Sequence, residues 1–383
     1  MSGAGQGGEE DPRVWLVVGE KRGDNAQIRN LARAVGWDFE EKRIFVKPAW
    51  AEATPRVRPA LDHIDRDRSD RLEPPWPDLV ITAGRRLSRV GLWIKQASGG
   101  HTKLVMIGRP RRMLDAVDLI VIAAHVALPE RSNVVRHDLP LMHPDPKALE
   151  RAAANWSDRL ARRPRPRTAL FVGGRTGGLR FDLERARDLL QATLRAVRAS
   201  GGSLYVVTSR RTPPEVVEML RRELPEDAGL YVYDPGSGPD ENPYHALLAT
   251  ADHFVVTTDS LSMMVEVARL GRPLSLYPLE NEDSLVEHVL SKLGLLRPLS
   301  VKLDPLPAGG LRARMMYRLG WPIHTRDLSA IPRRLVARGL AVWLGDPPLP
   351  PRPHADDELD RVAARVRALV RRDRGEAKPG SGL

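Results

Sequence analysis

Residues 257–268 read Thr257-Thr258-Asp259-Ser260-Leu261-Ser262-Met263-Met264-Val265-Glu266-Val267-Ala268. A β-strand here passes directly into a helix, with Asp259 and Ser260 at the position where capping residues are expected. At 100° per residue, the helix gathers its apolar side chains on one face and its polar side chains on the other. The polar face lies beside the positive end of the helix dipole, where an anion can bind. An ordinary capped helix with a solvated face explains the same pattern.

The rest of the chain repeats this alternation of short β-rich runs and amphipathic helical runs. In the second half, strands are predicted at residues 168–172, 203–208, 229–233, 253–257 and 273–277, with helices at 182–200, 214–224, 244–249 and 260–270. In the first half, strands are predicted at 14–18, 79–82, 103–107 and 119–122, with a helix at 26–35. We therefore expect an α/β protein of two Rossmann-like, doubly wound domains facing a cleft, with ligands at the carboxyl ends of the strands.

A chain of 383 residues is long enough for two domains. The segment Arg162-Arg163-Pro164-Arg165-Pro166-Arg167 has the composition of a linker. We predict an N-terminal domain at residues 13–145, a linker helix at 146–167, a C-terminal domain at 168–345, and a C-terminal helix with a disordered tail at 346–383.

The composition excludes several classes of protein. With 0 Cys, the chain has no disulfide, iron–sulfur cluster or thiol nucleophile. Its apolar runs are shorter than the roughly 20 residues of a membrane span, and its first residues do not resemble a signal peptide, so we expect a cytoplasmic protein. The net charge of +11 favours an anionic partner. An aromatic content of 5% is low for stacking single-stranded bases, so nucleic acid is not the expected partner.

Two predicted loops of the second domain could contact phosphate. The first is glycine-rich and reads Phe171-Val172-Gly173-Gly174-Arg175-Thr176-Gly177-Gly178. Its backbone could approach phosphate oxygens, but it lacks the Gly-Lys-Ser/Thr of ATPases and the glycine spacing of dehydrogenases. The second loop, Thr208-Ser209-Arg210-Arg211-Thr212-Pro213, offers Arg210 to offset leaving-group charge without a metal. A flexible turn and a solvated basic turn are the respective alternatives.

The first domain offers a candidate base. Its opening strand ends in Gly19-Glu20-Lys21-Arg22-Gly23-Asp24-Asn25-Ala26-Gln27, and a later strand ends in Ala83-Gly84-Arg85-Arg86. Asp24 or Glu20 could take a proton from an acceptor hydroxyl, although either could equally cap a helix. The D-x-D of Asp65-Arg66-Asp67 lies in a charged loop rather than after a strand. We therefore expect neither a metal site nor a cofactor.

Residues 312–344 interleave basic and large apolar side chains. This composition suits the surface of an anionic membrane, and packing between domains explains it equally well. The sequence leaves both interpretations open.

Together, Asp259-Ser260-x-Ser262-Met263-x-x-Glu266, Gly173-Gly174, Ser209-Arg210-Arg211-Thr212-Pro213 and Asn242-Pro243-Tyr244 resemble a known family. Its members are bacterial proteins related to the plant mitochondrial-fission factor "elongated mitochondria", and many are regarded as glycosyltransferases. The resemblance extends from about Val14 to Tyr277. It implies a GT-B-like fold in which the C-terminal domain binds a nucleotide-sugar donor and the N-terminal domain faces the acceptor.

The resemblance also implies roles for individual residues. Glycines, hydroxyls and Arg210 would hold the diphosphate, and Glu266 would hold the ribose. The donor-binding residues expected on this basis are Gly173, Gly174, Thr176, Ser209, Arg210, Asp259, Ser260, Ser262, Met263 and Glu266. Asp24 and Arg210 are the expected catalytic residues.

The predicted function is that of a metal-independent glycosyltransferase. It would move a sugar from a nucleotide diphosphate sugar to a cell-envelope or lipid-linked glycan acceptor, in contact with the inner face of an anionic membrane. The alternative is a non-catalytic, membrane-associated adaptor that keeps the fold, because the plant relative recruits fission machinery.

Overall fold

The computed structural model describes residues 11–50, 59–109, 114–126, 128, 130–174, 179–238, 240–279, 328–352 and 357–376. These residues divide into two compact units. The first unit contains residues 11–141 and 357–376, and the second contains residues 142–279 and 328–352. Each unit has its own parallel sheet.

The sheet of the first unit runs in the order β2-β1-β3-β4-β5-β6, with every neighbouring pair parallel. Its strands are β1 (Val14–Val18), β2 (Phe39–Arg43), β3 (Leu79–Ala83), β4 (Lys103–Ile107), β5 (Leu119–Ala123) and β6 (Val134–His137). The helices α1 (Arg22–Val35) and α2 (Leu87–Ala97) follow β1 and β3. A 3-10 turn at Pro48–Trp50 lies in the connection from β2 to β3.

Both faces of this sheet are covered, which explains the continuous apolar runs of its central strands. Leu16 and Val18 pack on one side with Ile28 of α1. Trp15 and Val17 point to the opposite side and join the cluster around α2. Because side chains alternate along β1, this strand contributes to a hydrophobic core on each face of the sheet.

The second sheet runs in the order β12-β11-β10-β7-β8-β9, again with parallel neighbours. Its strands are β7 (Arg167–Val172), β8 (Ser203–Thr208), β9 (Gly229–Tyr231), β10 (His253–Thr257), β11 (Leu274–Tyr277) and β12 (Val342–Trp343). Its described helices are α3 (Pro146–Ala161), α4 (Leu183–Ser200), α5 (Pro214–Glu223), α6 (Tyr244–Thr250), α7 (Leu261–Arg269) and α8 (Ala330–Ala337). The α/β class with two Rossmann-like parallel sheets is confirmed.

Two helices that were predicted outside the two domains belong to the compact units. The expected linker helix is α3, which belongs to the second unit and packs against α6. Trp156 of α3 donates its indole N–H to the carbonyl of Asp240 at 2.9 Å. The C-terminal helix α9 (Glu358–Glu376) belongs to the first unit and packs against α1, where Val362 and Val366 are fully buried.

Polar contacts fasten α9 to the first unit. The carboxylate of Glu358 accepts hydrogen bonds from the backbone N–H groups of Asp138, at 2.6 Å, and Leu139, at 3.4 Å. Arg367 donates to the carbonyl of Ala34 at the carboxyl end of α1, 333 residues earlier in the chain. The first unit is therefore discontinuous in sequence.

Candidate functional site

The second sheet changes winding direction between β7 and β10. From β7 the chain adds β8 and β9 on one side, and then crosses to add β10, β11 and β12 on the other. Ligands of open α/β sheets bind at such a switch point, beyond the carboxyl ends of the strands. Here Gly173 and Gly174, which follow β7, meet the Thr258–Ser260 loop after β10.

Asp259 joins these two loops. Its buried carboxylate accepts a hydrogen bond from the backbone N–H of Gly174 at 2.8 Å and another from the Thr257 hydroxyl at 2.7 Å. Arg211 completes an ion pair at 3.0 Å. Burial raises the pKa of Asp259, and these three contacts oppose that shift. Asp259 therefore acts inside the fold as an internal clamp.

Gly173 and Gly174 are required by this close packing. A Cβ on Gly173 would lie 2.0 Å from Oδ1 of Asp259, and one on Gly174 would lie 1.8 Å from the carbonyl oxygen of Arg211. Their N–H groups are also engaged, because Gly173 donates to Thr257 Oγ1 at 2.8 Å and Gly174 to Asp259. The two glycines expected to hold phosphate thus bind Thr257 and Asp259 within the protein. Thr176, expected beside them, lies outside the described residues.

The turn after β8 is fixed to the end of β7 by Thr212. Its hydroxyl lies 2.7 Å from the carbonyl oxygen of Gly173 and accepts the N–H of Ser209 at 2.8 Å. The Ser209 hydroxyl accepts the N–H of Arg211 at 3.2 Å, so it too is engaged within the turn. Arg210 differs from Arg211, because its exposed guanidinium makes no ion pair or hydrogen bond within the described parts of the chain.

The amino end of α7 lies at the same edge of the sheet. Ser260 occupies the cap position but makes no side-chain capping hydrogen bond. Ser262 and Met263, in the first turn, are partly exposed. Helix termini of this kind leave backbone N–H groups free to bind an anion.

Glu266 lies one turn further along α7 and is held by Tyr244 of α6. The Tyr244 hydroxyl donates a short hydrogen bond to Glu266 Oε2. Burial raises the pKa of Glu266 to about 7, and the hydrogen bond from Tyr244 opposes the shift. Burial and the neighbouring carboxylate also raise the pKa of Tyr244. A carboxylate in this position can accept hydrogen bonds from the hydroxyl groups of a ligand.

The position of Tyr244 itself is determined by two contacts. Its ring packs on Phe171 of β7 with centroids 4.7 Å apart. Its backbone N–H donates to Asn242 Oδ1 at 3.0 Å, at the start of α6. The Asn242-Pro243-Tyr244 motif was the sequence signal for this residue, for which no role in the site was predicted.

In the first unit, Asp24 lines a small pocket that is open to solvent. A Cβ on Gly84, whose φ is +80°, would lie 3.2 Å from the Asp24 carboxylate. The next residue, Asn25, clamps Gly19 by accepting its N–H at 3.0 Å and donating to its carbonyl at 2.6 Å. Asp24 therefore faces the pocket, whereas Asn25 shapes its wall.

Among the described residues, no group of three or more His, Asp and Glu side chains is arranged to hold a metal ion. None of the described helices is long and apolar enough to span a membrane. The basic and apolar segment 312–344 is described only from residue 328 onward. There, Ile331 and Leu335 are fully buried and β12 joins the second sheet, so packing accounts for these apolar side chains.

Comparison with known proteins identifies relatives of this sequence. The profile of the family described as "Mitochondrial fission ELM1" matches residues 22–313. Mitochondrial fission protein ELM1 of Arabidopsis thaliana is 27% identical over 220 residues, which is 52% of this chain and 51% of the plant protein. The chain thus matches about half the length of that relative. An uncharacterized protein of Rickettsia prowazekii is 27% identical over 71% of this chain and 85% of its own length.

Several solved structures are similar over nearly the whole chain. S. aureus MnaA, in a co-structure with UDP, is 12% identical over 94% of this chain and 97% of its own, with a TM-score of 0.46. UGT89C1 of Arabidopsis thaliana, complexed with quercetin, is 12% identical over 93% of this chain and 99% of its own, with a TM-score of 0.42. Neither TM-score reaches 0.5, so residue roles cannot be transferred from these proteins by position.

Proposed function

The chain belongs to the mitochondrial fission ELM1 family, and we propose that it is a metal-independent glycosyltransferase that uses a nucleotide diphosphate sugar. The second unit would bind the donor at its switch point. The first unit would bind a cell-envelope or lipid-linked glycan acceptor, with the protein in the cytoplasm at the inner face of an anionic membrane.

The Glu266–Tyr244 pair is the observation that supports this proposal most directly. It places a carboxylate beside the uncapped amino end of α7, at the switch point of a Rossmann-like sheet. A diphosphate could accept hydrogen bonds from the backbone N–H groups at the helix end, and a ribose could donate its hydroxyl hydrogens to the carboxylate. Ser260, Ser262 and Met263 would line the space between them.

The transfer would proceed by displacement at the anomeric carbon. The oxygen of an acceptor hydroxyl attacks the anomeric carbon. The bond between that carbon and the diphosphate oxygen breaks, and the diphosphate leaves with the electron pair. The proton of the hydroxyl passes to Asp24, and Arg210 offsets the charge that develops on the diphosphate. Arg210 is suited to this role because it has no partner among the described side chains.

Thermal unfolding with a panel of nucleotide diphosphates and nucleotide sugars in EDTA tests the donor site. A ligand at 100 times its Kd should stabilise the wild type by about 2.7 kcal/mol. Glu266→Ala should lose the effect, whereas Glu226→Ala, which removes an exposed carboxylate, should keep it. The proposal fails if no nucleotide at millimolar concentration stabilises the wild type.

One observation favours the adaptor alternative. The N–H groups of Gly173 and Gly174 already donate to Thr257 and Asp259, as they would in a scaffold that binds no diphosphate. An adaptor would bind anionic vesicles without any response to nucleotides. Hydrolysis or transfer of a sugar by the wild type, lost in Arg210→Gln, would exclude this alternative.

A further inference from the structure

A second switch point lies in the first unit. The chain adds β2 on one side of β1 and then crosses to β3 on the other. The loops that follow β1 and β3 therefore diverge and leave a crevice between them at the carboxyl ends of these strands. The pocket that contains Asp24 lies there, and its lining includes Glu20, Lys21, Arg85 and Arg86. Its position is thus the usual ligand position of such a sheet.

Two cationic side chains of this pocket have no internal role. Neither Lys21 nor Arg86 makes a side-chain hydrogen bond or ion pair within the described parts of the chain. The backbone of Arg86 is nevertheless fixed, because its carbonyl accepts a hydrogen bond from Nε2 of the fully buried His63 at 2.9 Å. The backbone of Arg86 is therefore fixed beside the pocket, while its guanidinium has no hydrogen-bond or ion-pair partner among the described residues.

Two helices begin at the same pocket and add to its positive potential. Residues of the first turn of α1 and the start of α2 form part of the lining. Neither helix has a side-chain cap at its amino end. The carboxylates of Glu20 and Asp24 oppose this potential, but Asp24, like Arg85, has an interaction of its own. Among the described residues, the charged groups of the lining without a side-chain partner are thus those of Lys21, Arg86 and Glu20.

Part of the remaining wall is apolar. Ile44, Ala83 and Leu87 line the pocket and are almost completely buried. A ligand that extends from the cationic side would therefore lie against hydrocarbon. Binding sites commonly combine a mostly apolar wall with a few polar groups that determine orientation.

We propose that this pocket binds the phosphate group of a phosphate-bearing acceptor, between Lys21 and Arg86. This inference deepens the proposed transferase function and rests on it, because a bound phosphate compound is an acceptor only if the protein is a transferase. The shared chemistry is a phosphate dianion or diester, which could belong to a lipid or to a soluble sugar phosphate. Arg86 can form paired hydrogen bonds with phosphate oxygens, and Lys21 adds a point charge.

Calorimetric titration of the full chain at low salt tests the pocket with three probes: octyl phosphate, inorganic phosphate and octanol. We expect octyl phosphate to bind and the Lys21→Gln/Arg86→Gln variant to lose at least about tenfold in affinity, because charge-assisted hydrogen bonds are removed. Glu20→Gln should bind more tightly than the wild type. Lys147→Gln removes an exposed cation of the second unit and should behave as the wild type.

The probes distinguish the sources of the phosphate. Tighter binding of octyl phosphate than of inorganic phosphate indicates a lipid phosphate, and equal binding indicates a soluble one. The proposal is overturned if the double variant binds octyl phosphate as the wild type does, or if octanol binds equally well. Glu266→Ala should leave these titrations unchanged, so failure of the donor site would be seen separately in the nucleotide experiment.

Discussion

Oδ2 of Asp259 lies 2.8 Å from the backbone nitrogen of Gly174, and this contact joins two loops 85 residues apart in sequence. Because the carboxylate is buried, it has no solvent to replace a lost partner. The arrangement of the candidate donor site therefore depends on a residue that makes its contacts within the protein.

Asp259→Ala should destabilise the second unit by about 1.5–3 kcal/mol, because the substitution removes hydrogen bonds to a charged group. Chemical denaturation would measure the change. Asp234→Ala, at an exposed turn where the carboxylate binds the N–H of Gly236, should cost less. Equal losses in the two variants would contradict the role of Asp259 as a clamp.

Gly174→Ala should disrupt the same region by steric conflict. The added Cβ would meet the Arg211 carbonyl oxygen at 1.8 Å, and backbone atoms cannot move aside cheaply. Gly238→Ala is the matched control, because no atom lies within 4 Å of its added Cβ. We expect a large fall in Tm for Gly174→Ala alone, and similar melting curves for the two variants would refute the packing argument.

Glu266 should make stability depend on pH. Its folded pKa of about 7 exceeds its ordinary value of 4.5, so its contribution is fully present below pH 4.5 and is lost as the pH rises through 7. Glu266→Gln should flatten the decline of Tm across this window. Glu226→Gln should retain it, and an unchanged decline in Glu266→Gln would assign the dependence to other groups.

Nucleotide binding should show the opposite dependence on pH. Ribose hydroxyls donate hydrogen bonds, so they require the ionised form of Glu266. The affinity of the wild type for its nucleotide should increase roughly tenfold between pH 6 and pH 8, following ionisation of a group with a pKa near 7. Titrations at both pH values measure this, and a neutral Glu266→Gln site should show no such increase.

Glu358→Ala should weaken the attachment of α9. Two backbone N–H groups would lose their acceptor, at a cost of about 1–3 kcal/mol. Asp360→Ala removes an exposed carboxylate two residues away and should change the free energy of unfolding little. If both variants unfold alike, the contacts of Glu358 contribute nothing to stability.

Apolar runs between turn signals predicted most central strands of both sheets, because such strands are buried on both faces. The edge strand β2 was not predicted. Its sequence, Phe39-Glu40-Glu41-Lys42-Arg43, is almost entirely charged, and it pairs on one side only. Pairing with β1 forms this strand, and its own sequence carries no comparable signal.

The sequence nominated the residues of the candidate site, but it did not predict the contacts that they make with one another. The family resemblance implied one donor site that includes Asp259 and the two glycines, and all three residues follow parallel strands. Their hydrogen bonds depend on which loops face each other, and the sequence does not contain that information locally. For the same reason it was not predicted that Arg211 forms the ion pair with Asp259, whereas its neighbour Arg210 has no ion pair among the described residues.

The discontinuity of the first unit also orders its folding in time. During synthesis, α1 leaves the ribosome long before α9, and the contact between Arg367 and Ala34 joins residues 333 positions apart. At about 5–20 residues per second, the partner helix is missing for roughly 15–70 s. Throughout that interval the apolar side chains of α1 that later pack against α9 remain uncovered, so the nascent first unit should be a substrate for chaperones while the second unit is being made.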